Sequence, residues 1–286
     1  GYVFDTGRLK EIRGGSHLVR TSTTEQTITT LATLDPGAQV IFAGGGAGLV
    51  RLSTQQDAEQ FIAQLQRHFR QQTVGSTVTA VAVAYEGSFA DVVQAGQIAL
   101  RRQKSSAPQR DHQLVANPYT AICTSCGRRP VQKVYKRPPE ADELLCNTCW
   151  SRRQTIDQLR RDAQPVRSRT RSVTVLDLAE AGDELASTLL VRSAVWADAW
   201  LPDTLEELGE LSRPARYIGL LHADGNRMGE HLRAFLETGK ALDNATQEQR
   251  YREFSRAIAE ATREAAVAAL VRAFPAPIAG RGRAVQ

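Results

Sequence analysis

Four cysteines in two close pairs constrain this chain more than any other feature of its sequence. Cys123 and Cys126 are separated by two residues, 19 residues follow, and Cys146 and Cys149 repeat the same spacing. Two thiolates this close can bind one tetrahedral ion from a tight turn, which Gly127 helps the backbone to make. The spacing is typical of zinc sites. We therefore predict a closed structural site in which all four cysteines bind one Zn²⁺.

Two other interpretations of the cysteines remain open, namely two disulfides or unrelated buried thiols. Disulfides are disfavoured in a reducing compartment. The first residues show neither the basic region nor the apolar region of a signal peptide, and no uncharged apolar run approaches the ~18–20 residues that span a bilayer. We expect a cytoplasmic protein that has no membrane partner. Because residue 1 is Gly rather than Met, we also expect a piece of a longer protein.

Positive charge is concentrated in one central segment. The 286 residues, enough for about two domains, include 36 Lys and Arg against 31 Asp and Glu; residues 101–171 hold sixteen of the basic and six of the acidic ones. Such a segment indicates contact with a polyanion, because binding neutralises phosphates and releases counterions. We expect a nucleic acid or a nucleotide as the partner. The alternative is a solvated Arg-rich insert.

Hydrophobic patterns predict an α+β unit ahead of the cysteines. Ala58, Phe61, Ile62, Leu65 and Phe69 recur at helical spacing and predict one apolar face of an amphipathic helix. The other expected helices begin near Arg8, with an interruption at Gly14-Gly15, and at Ser88. The expected strands are residues 2–4, 40–43, 48–52 and 77–85. The resulting order, β-α-β-β-α-β-α, indicates helices on one face of an antiparallel sheet.

Three glycines join the second and third of these strands. Gly44, Gly45 and Gly46 fit a flexible hairpin, or a hairpin without side chains whose backbone a nucleotide can approach. No carboxylate follows them, so this hairpin cannot supply a metal ligand at its tip.

A second pattern with chemical potential follows the cysteines. Helices are expected at residues 152–162, from about 230, and at 247–274, with a basic loop at 164–171. An apolar strand at 217–224 ends in Asp224, and Gly225 turns it towards a helix. A carboxylate in this position can hold Mg²⁺ while the backbone N–H groups of the helix face phosphates. Alternatively, Asp224 only caps the helix.

These motifs together resemble the large polymerase/cyclase subunit of type III CRISPR effector complexes. The shared pieces are the run Arg8 to Ser16, the run Phe42 to Gly46, the four cysteines, and the run Tyr217 to Gly229. Their order matches a first palm domain, a zinc-binding insert and the opening of a second palm domain. The resemblance implies a ferredoxin-like palm at residues 1–104, a basic linker with a zinc-ribbon-like module at 105–165, and the start of a second palm at 166–286.

The resemblance also implies a function, because in that family the palms bind ATP and the second palm makes cyclic oligoadenylates. Asp224 matches a carboxylate that holds Mg²⁺ or Mn²⁺, and Asn226 stands where relatives often carry a second Asp. The glycines at 44–46 and Gly225, with Asn226, would admit the triphosphates. Basic residues near Lys133, Lys136 and Arg137 would meet RNA or a partner subunit. The family's Gly-Gly-Asp-Asp hairpin does not occur in these 286 residues. Two hypotheses follow: a nucleotidyltransferase of an RNA-guided antiviral complex, or a catalytically inactive nucleotide- or RNA-binding scaffold subunit.

Overall fold

The computed structural model describes residues 2–106, 119–136, 141–163, 174–180, 183–199, 205–210, 212, 215–217 and 227–275. These residues form helices and two small antiparallel sheets, which confirms the α+β class. None of the described helices combines the length and the apolar character needed to cross a membrane.

The part of the chain ahead of the cysteines is a helical layer around one β-hairpin. Its elements are α1 (Leu9–Ser22), α2 (Glu25–Ala32), β1 (Gln39–Gly44), β2 (Ala47–Arg51), α3 (Gln55–Thr73) and α4 (Phe89–Ser106). The core between α2, α3 and the hairpin is formed by buried apolar side chains: Ile28, Ala32, Phe61, Leu65 and Phe69. The predicted apolar face of α3 is thus confirmed, since three of its residues are central to this core.

The part that begins at the cysteines is built mainly from helices. Its elements are β3 (Lys133–Tyr135), β4 (Glu143–Leu145), α5 (Asn147–Ala163), α6 (Val175–Glu180), α7 (Glu184–Arg192), the 3₁₀ turn Ala194–Trp196, α8 (Leu205–Glu210), α9 (Met228–Gly239) and α10 (Asn244–Ala273). The three helices predicted here are confirmed as α5, α9 and α10, each with an earlier start. The loop at 164–171 and the strand at 217–224, apart from Tyr217, lie outside the described residues.

The glycine hairpin has the predicted position. Gly44 pairs with Ala47, so the turn contains only Gly45 and Gly46. Their φ angles are 59° and 80°, and two successive positive values are characteristic of the type I′ turn that matches the twist of a hairpin. Since side chains avoid this region of φ, the turn itself accounts for two of the three glycines.

Two predicted strands in this region are wrong. Residues 2–4 form turns, and residues 77–85 have no strand pairing within the described part of the chain. The second segment instead packs by its side chains: Val78 and Ala80 lie against the α2–α3 core, and Tyr85 donates a hydrogen bond to Glu248 of α10. An apolar pattern reports burial, whereas a strand also requires a neighbouring backbone to pair with.

The predicted interruption of α1 at Gly14-Gly15 is also wrong, because the helix runs through both residues. A Cβ on Gly14 would lie 2.0 Å from the carbonyl oxygen of Arg152 in α5. Arg152 is fully buried, and its guanidinium stacks 4.1 Å from the ring of Tyr2. The glycines therefore bring two helix backbones into contact, and the tertiary packing offsets their poor helix propensity.

Helices α9 and α10 pack back onto the first part of the chain. Leu236 of α9 shares a buried cluster with Ile41 of the hairpin and with Phe89 at the start of α4. The amide oxygens of Asn244 and Gln247, in the first turn of α10, accept hydrogen bonds from the backbone N–H groups of Phe89 and Ala90, at 2.9 and 3.2 Å. Side chains of α10 thus satisfy N–H groups that the N-terminus of α4 cannot satisfy within the helix.

The contact at Gly14 can be tested by adding one methyl group. Gly14→Ala should lower the free energy of unfolding by about 1–3 kcal/mol, the usual cost of overpacking, because the new Cβ meets backbone rather than a movable side-chain end. Gly96→Ala in α4 is the control: the nearest atom to its new Cβ is 3.8 Å away, so we expect a gain of about 0.5–1 kcal/mol. Urea denaturation measures both. Equal effects of the two substitutions would contradict the close approach of α1 and α5.

Candidate metal centre

The cysteine module is a small ribbon in which backbone hydrogen bonds bring the two cysteine pairs together. Strands β3 and β4 pair antiparallel, with Val134 opposite Leu144. The first pair joins this sheet because the N–H of Thr124 donates to the carbonyl of Leu144 at 2.9 Å. Its turn is closed by a 3.0 Å hydrogen bond from Gly127 N–H to the carbonyl of Cys123, with Gly127 at φ 63°. The predicted role of Gly127 in the turn is therefore confirmed.

The four sulfur atoms converge on one point. All four Sγ atoms lie within 4.8 Å of one another, and Cys126 is partly exposed while the other three cysteines are buried. The distance from Cys126 Sγ to Cys146 Sγ is 4.0 Å, about twice a disulfide bond. Sulfurs bound tetrahedrally at ~2.3 Å from one ion would be about 3.8 Å apart. The cluster can therefore hold a metal ion, and the two disulfides considered from the sequence are not formed.

The thiols of the second pair affect each other directly. The Cys149 thiol donates to Cys146 sulfur, which lowers the pKa of Cys146 to about 5 and raises the pKa of Cys149. The backbone N–H of Cys149 also points at Cys146 Sγ, at 3.5 Å. For Cys126, burial raises the pKa although backbone N–H groups of Arg128 and Arg129 oppose this effect. A metal that binds all four sulfurs must therefore displace protons, and its affinity should fall at acid pH.

A buried carboxylate of α1 supports this ribbon. Glu11 is completely buried, and its Oε2 accepts a hydrogen bond from Ser125, which lies between the first two cysteines. Its Oε1 accepts from Arg153 Nε of α5 at 2.6 Å, and Arg153 Nη2 donates to Glu143 of β4 at 2.7 Å. Burial would favour the neutral form of Arg153, but the two carboxylates outweigh it and raise its pKa. One chain of charged hydrogen bonds thus connects α1, α5, β4 and the first cysteine pair.

A second set of polar contacts lies beside this chain. Lys10 Nζ donates to both Asp157 and Tyr135, and Tyr135 donates to Asp157 at 3.0 Å. On the other side, Asp5 pairs with Arg128 at 2.8 Å and with Arg129 at 2.7 Å. These contacts join residues 5–11 to the module through several charges, whereas the apolar contacts of the module are concentrated around its own cysteines.

The structure also shows where part of the central positive charge is used. Arg152 and Arg153 are buried, and Arg128 and Arg129 pair with an acidic residue outside the basic segment. Lys133 and Lys136 are exposed on the ribbon, as a polyanion-binding role would require, while Arg137 lies outside the described residues. Several arginines therefore stabilise the fold, and the charge count from the sequence overstates the positive charge available to a partner.

The remaining predicted site residues are distributed as follows. Gly44, Gly45 and Gly46 lie at the tip of the β1–β2 hairpin, where a Cβ on Gly45 or Gly46 would meet no atom within 4 Å. That a nucleotide approaches the backbone of these glycines remains a prediction. Asp224, Gly225 and Asn226 lie outside the described residues, which resume at Arg227 just before α9.

Sequence reasoning missed the residues that hold the metal module in place, namely Glu11, Ser125 and Arg153. One signal was available. Glu11, Gly14, Gly15, Leu18 and Ser22 follow one another at helical spacing and are all buried on one face of α1. A carboxylate and two glycines on the buried face of a helix indicate a close neighbour with a cationic side chain.

No protein-family model matches the chain, and no curated protein matches its sequence.

Removing the charge of Glu11 should weaken the contact between α1 and the module. Glu11→Gln leaves Arg153 buried with only Glu143 to pair with, so we expect a loss of about 2–4 kcal/mol in the free energy of unfolding. Glu264→Gln removes an exposed partner of Arg192 and should cost less than about 0.5 kcal/mol. Chemical denaturation followed by circular dichroism measures the difference. A Glu11 variant as stable as the Glu264 variant would mean that the buried network contributes little.

Proposed function

We propose that this chain is part of a palm-domain nucleotidyltransferase subunit of an RNA-guided antiviral complex of the type III CRISPR kind. The observation that carries the proposal is the order of four motifs: the α1 run with its paired glycines, the glycine hairpin, the four-cysteine module, and the strand-Asp224-Gly225-helix pattern. The α+β class, the two-residue turn at Gly45-Gly46 and the convergence of the cysteines support it. A ferredoxin-like palm and the domain limits 1–104, 105–165 and 166–286 are parts of the same proposal.

The four cysteines would hold Zn²⁺ in a structural role. Four thiolates are a donor set typical of zinc, and a site with four protein ligands has no open position for substrate. The burial of three of the four cysteines favours this role, since a buried ion is protected from exchange and from oxidants. The module would then fix β4 and the start of α5, whose residues contact α1.

The nucleotide chemistry would depend on Asp224 and the glycines. Asp224 would hold Mg²⁺ or Mn²⁺, and the open space at the hairpin tip would allow ATP phosphates to approach the backbone of Gly45 and Gly46. The bound metal would neutralise phosphate charge and activate the attacking hydroxyl of a second ATP. Lys133 and Lys136, both exposed, would contact RNA or another subunit.

A catalytically inactive scaffold is the second candidate, and two features of the sequence favour it. These 286 residues contain no Gly-Gly-Asp-Asp, and Asn226 replaces an acidic residue common in the family that the chain resembles. Such a subunit would still bind nucleotide or RNA through the same basic and glycine-rich elements.

The zinc proposal predicts a defined metal content. Protein purified without chelator should contain about one Zn²⁺ per chain. Cys126→Ser should lose the ion and increase protease sensitivity within residues 119–150, while the α2–α3 core remains folded. Elemental analysis and limited proteolysis measure the two effects, with Thr262→Ala, a substitution at an exposed position of α10, as the control. Four reactive thiols and no metal in freshly purified protein would eliminate the zinc site.

The nucleotidyltransferase proposal predicts a product. The intact complex that contains this chain, incubated with ATP, Mg²⁺ and target RNA, should form cyclic oligoadenylates, which mass spectrometry identifies. ATP binding without any such product would favour the scaffold.

Asp224→Asn separates a metal ligand from a helix cap in the same assay. Asn caps a helix about as well as Asp, so the variant should keep its stability but lose the Mg²⁺-dependent binding of ATP and the product. Unchanged product formation would leave Asp224 with a capping role only.

A further inference from the structure

A groove with a volume of about 530 Å³ lies between α2, β1 and α10, away from the cysteine module. Its walls include Thr29 of α2, Thr33 directly after that helix, Gln39 of β1, and Arg252 and Arg256 of α10. The volume is within the range of small-molecule binding sites, about 300–1,000 Å³.

Arg252 lines the groove with hydrogen-bond donors that have only distant acceptors, or none, among the described residues. Its Nη1 lies 3.3 Å from the side-chain oxygen of Gln249, and its Nη2 lies 3.4 Å from the carbonyl of Val40. Both distances exceed the usual 2.9–3.0 Å for such bonds. Its Nε is buried and faces no hydrogen-bond acceptor among the described residues. A donor nitrogen that is buried without an acceptor is costly, and a further acceptor beside this partly buried guanidinium would complete its contacts.

Arg256 lies one turn further along the same face of α10, so the two guanidinium groups can reach one ligand. Its nearest ion-pair partner is Glu25 Oε1, at 3.9 Å, which is beyond hydrogen-bond distance. Both side chains of this pair are more than half exposed, and such pairs contribute little free energy. An anion that pairs with Arg256 would therefore have to replace only this weak ion pair with Glu25.

Asp35, an acidic residue that also lines the groove, does not use the donors of the two arginines. Asp35 is buried, and its carboxylate accepts hydrogen bonds from the backbone N–H and hydroxyl of Ser53 and from Gly37 N–H, at 2.6, 2.9 and 2.8 Å. These bonds, above all the one from Ser53 N–H, lower the pKa of Asp35. The oxygens of Asp35 are thus occupied by Gly37, in the loop that joins α2 to β1, and by Ser53, between β2 and α3, and the arginine donors stay available.

We propose that this groove binds a phosphate group, held by the guanidinium groups of Arg252 and Arg256. Arginine pairs with phosphate through parallel hydrogen bonds, which its planar donor set allows, and the Thr29 hydroxyl offers one more donor at the opposite wall. A nucleotide or the backbone of RNA can supply this group. The groove contains none of the residues to which we assign nucleotide chemistry. Phosphate binding here can therefore be tested independently of the proposed nucleotidyltransferase activity.

The probes are sodium tripolyphosphate, ATP, a ten-nucleotide single-stranded RNA and, as the phosphate-free control, adenosine, each titrated by calorimetry in buffer without Mg²⁺. Tripolyphosphate should bind and adenosine should not. ATP and RNA compared at equal phosphate concentration identify the source, since the groove favours the one that binds more tightly.

Three variants and one matched control test the residues. Arg256→Gln and Arg252→Gln should each weaken tripolyphosphate binding about tenfold or more, the effect of one charge-assisted hydrogen bond. Thr29→Glu places a negative charge in the groove without altering either arginine, and should weaken it to a similar extent. Arg233→Gln removes an exposed charge of α9 and should bind as the wild type does. The proposal is wrong if the wild type does not bind tripolyphosphate, or if Arg256→Gln and Thr29→Glu bind it as tightly as Arg233→Gln.

Discussion

The contact between α1 and α5 is the interaction on which the arrangement of this protein depends. At Gly14 the two backbones approach too closely for any side chain, and three residues earlier Glu11 meets Arg153 in a fully buried ion pair. The two features depend on each other. With a side chain at position 14 the helices could not come close enough for Glu11 to pair with Arg153, and without Arg153 the buried Glu11 carboxylate would lose its ion-pair partner. Because α5 begins directly after Cys146, this contact also fixes the second cysteine pair.

Helix α10 forms a second connection with a different chemistry. Its first turn caps α4, and Glu248, almost fully buried, accepts hydrogen bonds from Arg51 of the hairpin and Tyr85. Burial, and after it the Glu248 carboxylate, which disfavours a second negative charge, raise the pKa of Tyr85 to about 12. The glycine hairpin is therefore held from its base by α10, while its tip remains open to solvent. The base of the hairpin is thus held in place by Glu248, while its turn at Gly45 and Gly46 is accessible.

The features that the sequence predicted correctly are those with a local physical cause. Each of these features acts within a few neighbouring residues: the spacing within each cysteine pair, the turn preference of Gly45 and Gly46, and the 3.6-residue period of α3. The capping of α4 by Ser88, whose hydroxyl accepts from Asp91 N–H, is of the same kind. For this reason the sequence alone is enough to identify the cysteine cluster, the hairpin and most of the described helices.

What the sequence by itself determined is therefore the α+β class, the four cysteines that can hold a metal ion and the tight turn of the hairpin. Tertiary structure alone decided what the glycines of α1 do, because only contact with Arg152 distinguishes a helix-packing glycine from a helix-breaking one. It also decided that residues 77–85 pack by side chains rather than as a strand. Likewise, it paired arginines of the basic segment with distant acids, Arg128 with Asp5 and Arg153 with Glu11, which are more than a hundred residues away. Pairing across such distances depends on the folded positions of both partners, which no local pattern encodes.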